Sequence, residues 1–388
     1  MVKMYKMISL IPTIITSFVG ISLTAPIDMP QQTGGVSKSI PSNIELLSKK
    51  GSLLPILIYI ALEEKTTQYE SELVSLKLSG KLTHEAHNEL NPQDLEFGPV
   101  IGKGFFGKVN KGMLKKVQKV AIKRARDTPD REQRELILDE IKFMCAIGQH
   151  PNVVKLIGAV TSQGSEAMIV TEYVDCGSLK DFLRRVRDQK KFTDLLVYNG
   201  NQRKTEKYNK RHPVSRVVDE LSTYDLISFC YQIAKGMVYL ASIPCVHRDL
   251  ALRNVLLMSD GTIRICDFGL TRRHDNKTYY RWTNLDIALP YSWVAPECIK
   301  NKKFDEKSDI WAFAVSLFEM FSLGGTPYQG VLDIYTYLAS GKRLDEPKYC
   351  HPKIYKFMKL CWSKDPTQRP DFEECTDFFA EHLKMFED

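Results

Sequence analysis

The sequence HRDLALRN at His247–Asn254 decides the interpretation, because it places a carboxylate and an amide five residues apart. Asp249 can accept the proton of a hydroxyl group, and Asn254 can hold a magnesium ion. The tripeptide DFG follows at Asp267–Gly269, and its carboxylate supplies a second ligand for magnesium. Groups in this arrangement suit the transfer of a phosphoryl group, which depends on positioning and charge neutralisation.

A glycine-rich stretch, GKGFFGKV, lies upstream at Gly102–Val109. Glycines let a backbone lie close over phosphates and present N–H donors to them. A dinucleotide-binding fingerprint has similar glycines but opens a helix, whereas Val109 continues apolar strand character toward Val120. The stretch therefore predicts a phosphate-covering loop, and a plain glycine-rich hairpin is the alternative.

Lys123 ends the apolar pattern VAIK, which predicts a buried strand. A buried amine is costly unless it is paired, and an ATP phosphate together with a carboxylate would pair it. Glu135 and Glu140 both lie on a helix that the apolar spacing predicts from Glu132 to Ala146. Spacing alone leaves both as candidate partners.

These motifs, followed in order by APE at Ala295–Glu297, resemble those of the protein kinase family over residues 94–379. The likeness is closer to receptor-type tyrosine kinases with a split kinase domain, such as the fibroblast and platelet-derived growth factor receptors. Ala251 stands where serine/threonine kinases usually have Lys, and Arg253 stands where tyrosine kinases usually have Arg. Residues Leu289–Glu297 resemble the segment with which tyrosine kinases dock their substrates.

The resemblance implies an α+β, two-lobed protein-kinase fold over residues 94–385, with a β-rich N-lobe and a mainly helical C-lobe. It implies ATP and Mg²⁺ as cofactors, and it selects Glu140 over Glu135 as the partner of Lys123. Thr171 is the implied gatekeeper beside a hinge that reads adenine. The implied residues are Asp249, Lys123, Glu140 and Arg253 for catalysis; Ile101, Gly102, Gly104, Gly107, Val109, Ala121, Lys123, Thr171, Glu172 and Val174 for the nucleotide; and Asn254 and Asp267 for the metal.

The same likeness implies that Asp309 braces the catalytic loop, which is the segment His247–Asn254, and that Glu297 pairs with Arg369. Three positions depart from the tyrosine-kinase pattern, but none of them handles phosphate or metal. They are Ser292, Ala314 and Leu252, where Lys, Gly and Ala are usual. Ser292 lies in the docking segment, so it bears on peptide preference.

Two rival functions are set against a tyrosine kinase. A serine/threonine or dual-specificity kinase is opposed by Ala251 and Arg253. A pseudokinase scaffold, which binds partners without catalysis, is opposed by the complete set of phosphate- and metal-handling residues. Phosphate transfer to tyrosine and not to serine or threonine would exclude both rivals.

Apolar patterns give the two halves of this domain different secondary structure. One strand is predicted at residues 95–97 and 100–101 together, and another at residues 119–123, in the first half. Helices are predicted at residues 132–146, 224–240, 307–321 and 353–361. A β-rich half followed by an α-rich half fits two lobes.

The 388 residues carry a formal net charge of +7. Residues 184–216 hold eleven Lys/Arg and three Asp/Glu, a net charge of +8, so the rest of the chain has no basic excess. A nucleic-acid partner is therefore not expected. All nine cysteines lie from Cys145 onward without a C-x-x-C pair, which is typical of reduced thiols rather than a disulfide framework or zinc site.

The basic segment at about 184–216 lies where split kinases carry an insert, and its polarity predicts a solvated loop. Tyr198 and Tyr208 within it are candidates for phosphorylation and for docking of partner proteins. A passive loop is the alternative. Contact with an anionic membrane is a further interpretation of its charge.

The N-terminus carries a basic start and an uncharged, mostly apolar stretch at residues 7–27. Residues 1–28 are interpreted as a signal peptide or a membrane anchor. Residues 29–93 are interpreted as a short linker or juxtamembrane region with an apolar segment at 51–62, which is too short to span a bilayer alone. We expect a membrane protein with a cytoplasmic kinase domain, and a cytoplasmic protein is the alternative.

Tyr279 and Tyr280 lie between the DFG and APE motifs, where kinases place activation sites. Their phosphorylation is expected to order this loop by pairing with Arg248 and with Arg272 or Arg273. Expected partners are therefore protein substrates with tyrosine and a second copy that phosphorylates these residues in trans. Two ordinary loop aromatics are the alternative.

Overall fold

A computed structural model describes residues 88–104, 107–125, 131–162, 166–199, 202–205, 221–243, 245–273, 280–281 and 290–386. These residues belong to one compact unit. The apolar segments at 7–27 and 51–62, and Tyr208 and Tyr279, lie outside the described residues. Within the described ranges, no helix is both long and apolar enough to cross a bilayer.

The N-lobe is a five-stranded antiparallel sheet with one helix, α1, at Arg131–Ile147. The strands follow the order β1-β2-β3-β5-β4 across the sheet. Their bounds are Leu95–Gly104 for β1, Gln118–Arg124 for β3 and Met168–Glu172 for β5, with β2 at Gly107–Leu114 and β4 at Leu156–Val160. The strands predicted at 95–101 and 119–123 and the helix at 132–146 are confirmed.

The pleat of β3 explains why a lysine can end a buried strand. Val120 and Ile122 have no exposed surface and pack into the N-lobe core. Because side chains alternate across a strand, Ala121 and Lys123 lie on the opposite face. One strand thus serves both the core and the site.

The C-lobe is mainly helical, as predicted. Its central helix α5 is buried along nearly its whole length, because apolar residues surround it on every side. The helices are α2 at Leu179–Asp188, α3 at Thr223–Ala241, α4 at Pro296–Asn301, α5 at Glu306–Phe321, α6 at Ile334–Ala339, α7 at Pro352–Cys361 and α8 at Phe372–Lys384. The predicted helices at 224–240, 307–321 and 353–361 correspond to α3, α5 and α7.

Short two-stranded ladders connect the C-lobe helices. One of them pairs Val255–Leu257 with Ile263–Ile265 directly after the catalytic loop. The ladders pair β6 with β9, β7 with β8, β10 with β13, β11 with β12 and β14 with β15. Their bounds are Phe192–Thr193, Leu196–Asn199, Gln202–Thr205, Leu221–Ser222, Cys245–Val246, Val255–Leu257, Ile263–Ile265, Arg272–Arg273, Tyr280–Arg281 and Lys303–Phe304 for β6 to β15 in chain order.

Helix α2 extends into the first residues of the insert predicted at about 184–216. Helix α2 continues to Asp188, because Leu183 and Val186 bury its apolar face in the C-lobe core. The Arg184 guanidinium also donates to the Gly324 carbonyl across 2.9 Å. After α2, the strands β7 and β8 form a hairpin rather than a plain loop, and residues 206–220 lie outside the described residues.

Residues just before the predicted domain boundary at Asp94 also contact the N-lobe sheet. Asn88 and Leu90 form backbone hydrogen bonds of 3.0 and 2.8 Å with Ala159 on β4. The Leu90 side chain is buried in the N-lobe core. The residues assigned to the end of a linker are therefore part of the folded N-lobe.

Glu89 fixes this segment to the turn after β4. Its carboxylate accepts hydrogen bonds from the Thr161 backbone and hydroxyl, both at 2.8 Å, and from the Ser162 N–H at 3.1 Å. Arg134 on α1 donates to the Thr161 carbonyl at 3.0 Å from the other side. The turn therefore links the N-terminal segment to helix α1.

Close packing at Gly158 makes a stability prediction. A Cβ atom there would lie 2.4 Å from the Asn88 carbonyl oxygen and 2.8 Å from Leu90 Cγ. Gly158→Ala should therefore lower the free energy of unfolding by about 1–3 kcal/mol, because the segment must shift off β4. Chemical denaturation of the full chain measures this change.

Gly104→Ala is the matched control, because no described atom lies within 4 Å of its added Cβ. Its effect should stay within about 0.5 kcal/mol. Equal destabilisation by both variants would show that the packing of residues 88–90 contributes nothing.

Candidate active site

Lys123 is the centre of a buried charge cluster. Its Nζ lies 2.8 and 2.7 Å from the two carboxylate oxygens of Glu140 on α1 and 2.7 Å from Oδ1 of Asp267. Glu140 is buried, and the Lys123 side chain is only 15% exposed. The structure thus brings together one residue from β3, one from α1 and one from the DFG motif, and the partner of Lys123 is Glu140, as the resemblance implied.

The charges in this cluster stabilise one another. Burial alone would lower the pKa of the Lys123 amine, but the carboxylates of Asp267 and Glu140 raise it above its usual value. Burial opposes ionisation of Asp267 as well, yet the adjacent ammonium holds the pKa of this carboxyl below its usual value. Both groups are therefore charged at neutral pH, and each requires the other.

The catalytic loop holds Asp249 between an amide and a guanidinium. Asn254 Nδ2 donates to the Asp249 carboxylate at 2.7 Å and to the Asp249 carbonyl at 2.8 Å. Arg253 forms an ion pair with the other carboxylate oxygen. Burial raises the pKa of Asp249 to about 6, although Arg253 counteracts this.

Asp309 braces the catalytic loop from α5, as the resemblance implied. Its carboxylate accepts from the backbone N–H groups of His247 at 2.8 Å and Arg248 at 2.9 Å. Arg248 has a positive φ of 65°. Such backbone strain persists only where surrounding contacts enforce it, and Asp309 provides two of them.

A row of aromatic rings connects α1 to the catalytic loop. The Phe268 ring of the DFG motif lies 5.3 Å from Phe143 on α1 and 5.5 Å from His247, measured between ring centroids. Burial lowers the pKa of His247 to about 4, so this ring is neutral. The position of α1, and so of Glu140, is therefore coupled to the loop that carries Asp249.

The nucleotide-binding residues predicted from the sequence lie on β1, β2, β3 and β5, except Val174, which follows β5. Gly102 pairs with Val109 and Gly104 with Gly107 across the β1–β2 turn, and Ala121 pairs with Thr171 between β3 and β5. Gly107 needs its glycine, because its φ is +139° and a Cβ would lie 2.1 Å from the Arg124 carbonyl oxygen. The remaining members are Ile101, which is exposed, Val174, which is buried, and Glu172, whose carboxylate binds Arg264 at 3.0 Å.

Comparison with known proteins identifies this arrangement. The profile of the family described as protein tyrosine and serine/threonine kinase matches residues 95–379. Receptor-like tyrosine-protein kinase kin-15 of Caenorhabditis elegans is 39% identical over an alignment of 409 positions, which covers 98% of this chain and 83% of that protein. This chain belongs to the protein tyrosine kinase family. Membership confirms the predicted two-lobed fold and enzyme class and implies ATP binding.

Other relatives of the kinase are receptors. Tyrosine-protein kinase receptor old-1 of Caenorhabditis elegans is 42% identical over 78% of this chain and 61% of that protein. Vascular endothelial growth factor receptor 1 of Mus musculus is 34% identical over 76% of this chain and 25% of that protein. The chain thus spans about a quarter of the length of the mouse receptor.

An ion pair anchors the APE end of the segment that resembles a substrate-docking segment. Arg369, which has no exposed side-chain surface, binds Glu297 of the APE motif at 2.7 and 3.0 Å, as the resemblance implied. Ser292 lies in the 3-10 helix Tyr291–Trp293. The other two departures from the family pattern, Ala314 and Leu252, are fully buried.

Sequence reasoning missed Glu319 and Lys180. Glu319 has no exposed surface, and its Oε1 lies 2.8 Å from Lys180 Nζ on α2. A signal was present, because Glu319 is the only charge in the run AFAVSLFEMF of α5. A charge inside such an apolar run has to be paired when the helix is buried.

The brace at Asp309 predicts how the kinase responds to pH. Burial raises the pKa of Asp309 to about 7, while its backbone hydrogen bonds oppose the rise. Because the pKa of Asp309 is higher in the folded than in the unfolded chain, protonation of this carboxyl favours the folded state. This contribution to the free energy of unfolding is complete below the unfolded-state pKa of about 4 and is lost as pH rises to 7. The free energy of unfolding of wild type should therefore fall relative to Asp309→Asn by about 1.4 kcal/mol per pH unit within this window.

Urea unfolding of wild type and Asp309→Asn between pH 4 and 8 measures that difference. Asp139→Asn, an exposed change on α1, is the control and should show no pH-dependent difference. A flat difference for Asp309→Asn would contradict the raised pKa.

Proposed function

We propose that this tyrosine kinase transfers the γ-phosphoryl group of ATP to tyrosine hydroxyls of protein substrates, with Mg²⁺, in signalling at a membrane. The observation that carries the proposal is the ionic cluster of Lys123, Glu140 and Asp267 beside the pair of Asp249 and Asn254. Phosphoryl transfer needs preorganised charge near the phosphates and a hydroxyl-orienting carboxylate, and this arrangement offers both.

Lys123, held by Glu140, would bind the α- and β-phosphates of ATP in this mechanism. Ile101, Gly102, Gly104, Gly107 and Val109 would cover the nucleotide, while Ala121, Thr171, Glu172 and Val174 would hold the adenine. Glycine-rich backbone suits this task because it approaches phosphates closely. Each assignment follows the place of the residue on β1, β2, β3 or β5, or just after β5.

Asp249 would orient the tyrosine hydroxyl and accept its proton, and Arg253 would support the acceptor. The contact between Arg253 and Asp249 suits this division, because it fixes the carboxylate in one orientation. A positioned base of this kind contributes about 10²–10⁴-fold to a rate.

Asn254 and Asp267 fit a magnesium site by their chemistry. The Asn254 amide nitrogen is directed at Asp249, so its oxygen is directed elsewhere, and Asp267 adds carboxylate oxygens. Magnesium prefers such oxygen ligands and would neutralise charge on the phosphates when bound.

A membrane location with a cytoplasmic kinase domain is part of the proposal. Support comes from the receptor names of its relatives and from the apolar stretch at 7–27. Receptor-type kinases imply a second copy as partner, which would phosphorylate Tyr279 and Tyr280. The tyrosines of the basic segment, Tyr198 and Tyr208, would dock further partner proteins.

The function is tested by phosphate transfer from Mg–ATP to a Glu/Tyr polymer and to a Ser/Thr peptide, using the purified full chain. We expect transfer to tyrosine only. Asp249→Asn should lower kcat at least about 100-fold, because it removes the proposed base. Asp260→Asn, in the turn between β11 and β12, serves as the control. ATP binding without transfer to either acceptor would favour a scaffold instead.

A second test concerns activation. After preincubation with ATP, the Tyr279→Phe/Tyr280→Phe variant should lack the rise in kcat that wild type shows, because no phosphate can pair with the nearby arginines. Phosphopeptide mass spectrometry of wild type checks that these tyrosines carry the phosphate. An equal rise in the variant would remove them from activation.

A further inference from the structure

Glu319 is a buried carboxylate that the mechanism above does not use. It lies on α5 without exposed surface, and burying an unpaired charge costs several kcal/mol. Its partners come from three separate parts of the site. They are the Leu252 N–H at 3.1 Å, the Trp293 Nε1–H at 3.0 Å and the Lys180 ammonium at 2.8 Å.

These three partners have different relations to the acceptor. Leu252 belongs to the catalytic loop, between Asp249 and Asn254, and Trp293 belongs to the segment before the APE motif. Lys180 is on the first turn of α2, the helix that follows the hinge. One carboxylate therefore joins the hinge side of the C-lobe to the acceptor side.

The Trp293 ring connects Glu319, through Arg253, to the proposed base Asp249. Its centroid lies 5.2 Å from Lys180 Nζ and 4.4 Å from Arg253 Cζ, both within the range of cation–π attraction. Arg253 in turn pairs with Asp249. The side chain that contacts Asp249 is thus packed on a ring whose N–H is fixed by Glu319.

We infer that Glu319 is a positioning residue for the tyrosine acceptor and that Lys180 is the counter-ion that lets it stay charged. The inference rests on the proposed function, since it assigns these residues to the acceptor side of that same site. The contacts reach Arg253 and Asp249 but involve none of Lys123, Glu140 and Asp267. Loss of the ion pair should therefore affect the acceptor more than ATP.

Lys180→Met leaves the Glu319 charge buried without its counter-ion, which is strongly unfavourable. The ratio of transfer to a Glu/Tyr polymer over ATP hydrolysis by water should fall about tenfold, because a small misplacement of reacting groups is costly. The KM for ATP should change less than about twofold, because the phosphate-binding residues stay in place. Both rates and the melting temperature are measured on the full chain.

The double variant Lys180→Met/Glu319→Gln distinguishes the effect of an unpaired charge from the effect of losing either residue. The paired variant buries no unpaired charge, and the amide oxygen of the introduced glutamine can still accept from Leu252 and Trp293. Its ratio should therefore return to within about threefold of wild type, a coupling that two independent residues would not show. Lys180→Arg should behave like wild type.

Two further variants keep the test decisive if Lys180→Met does not fold. Trp293→Phe keeps an aromatic ring but removes the N–H, and it should lower the same ratio about threefold, since a ring without its hydrogen bond is less firmly held. Arg187→Met, a change on the exposed side of α2, is the matched control and should leave the ratio unchanged.

The outcomes are distinguishable. A wild type that transfers no phosphate overturns the proposed function, and the inference with it. Active wild type with an unchanged ratio in Lys180→Met and Trp293→Phe overturns the inference alone. Equal loss of polymer transfer, hydrolysis and ATP affinity, with no recovery in the paired variant, would show a purely structural role.

Discussion

The whole active site depends on the pairing of one buried lysine. Lys123 is tolerated at the end of β3 because Glu140 and Asp267 both lie within 2.8 Å of its ammonium group. Removing one partner from such a cluster typically costs about 3–5 kcal/mol, because it leaves an uncompensated charge. The cluster therefore holds β3, α1 and the DFG motif in one arrangement.

Buried carboxylates on α5 hold the catalytic loop of the C-lobe in a similar way. Asp309 and Glu319 lie on the same buried helix α5, and each accepts backbone N–H groups of the catalytic loop. The loop cannot form a regular ladder of its own, since its backbone includes Arg248 in a left-handed conformation. Two buried carboxylates on one rigid helix replace that ladder, so the helix determines where Asp249 lies.

Sequence reasoning predicted the parts of the site that depend on spacing and chemistry. Lys123 was predicted from the pattern VAIK, whereas Glu140 and Asp309 were assigned from the resemblance to the kinase family. The apolar run of α5 marks Glu319 as a charge that needs a partner, but no local pattern identifies Lys180 as that partner, because the two residues are far apart in the chain. The choice of residue 184 as the start of the insert has a similar cause. The charges of Arg184 and its neighbours concealed the apolar spacing of Leu183 and Val186, which the C-lobe core buries.

The segment Asn88–Leu90 has a consequence for the behaviour of the chain in solution. Strand β4 is at the outer edge of the N-lobe sheet, and an uncovered edge is a template on which other chains can add a strand. Asn88 and Leu90 occupy the hydrogen-bonding groups of Ala159, and Gly158 gives them room to do so. The segment Asn88–Leu90 therefore also covers part of this edge, which leaves less of it free to pair with another chain.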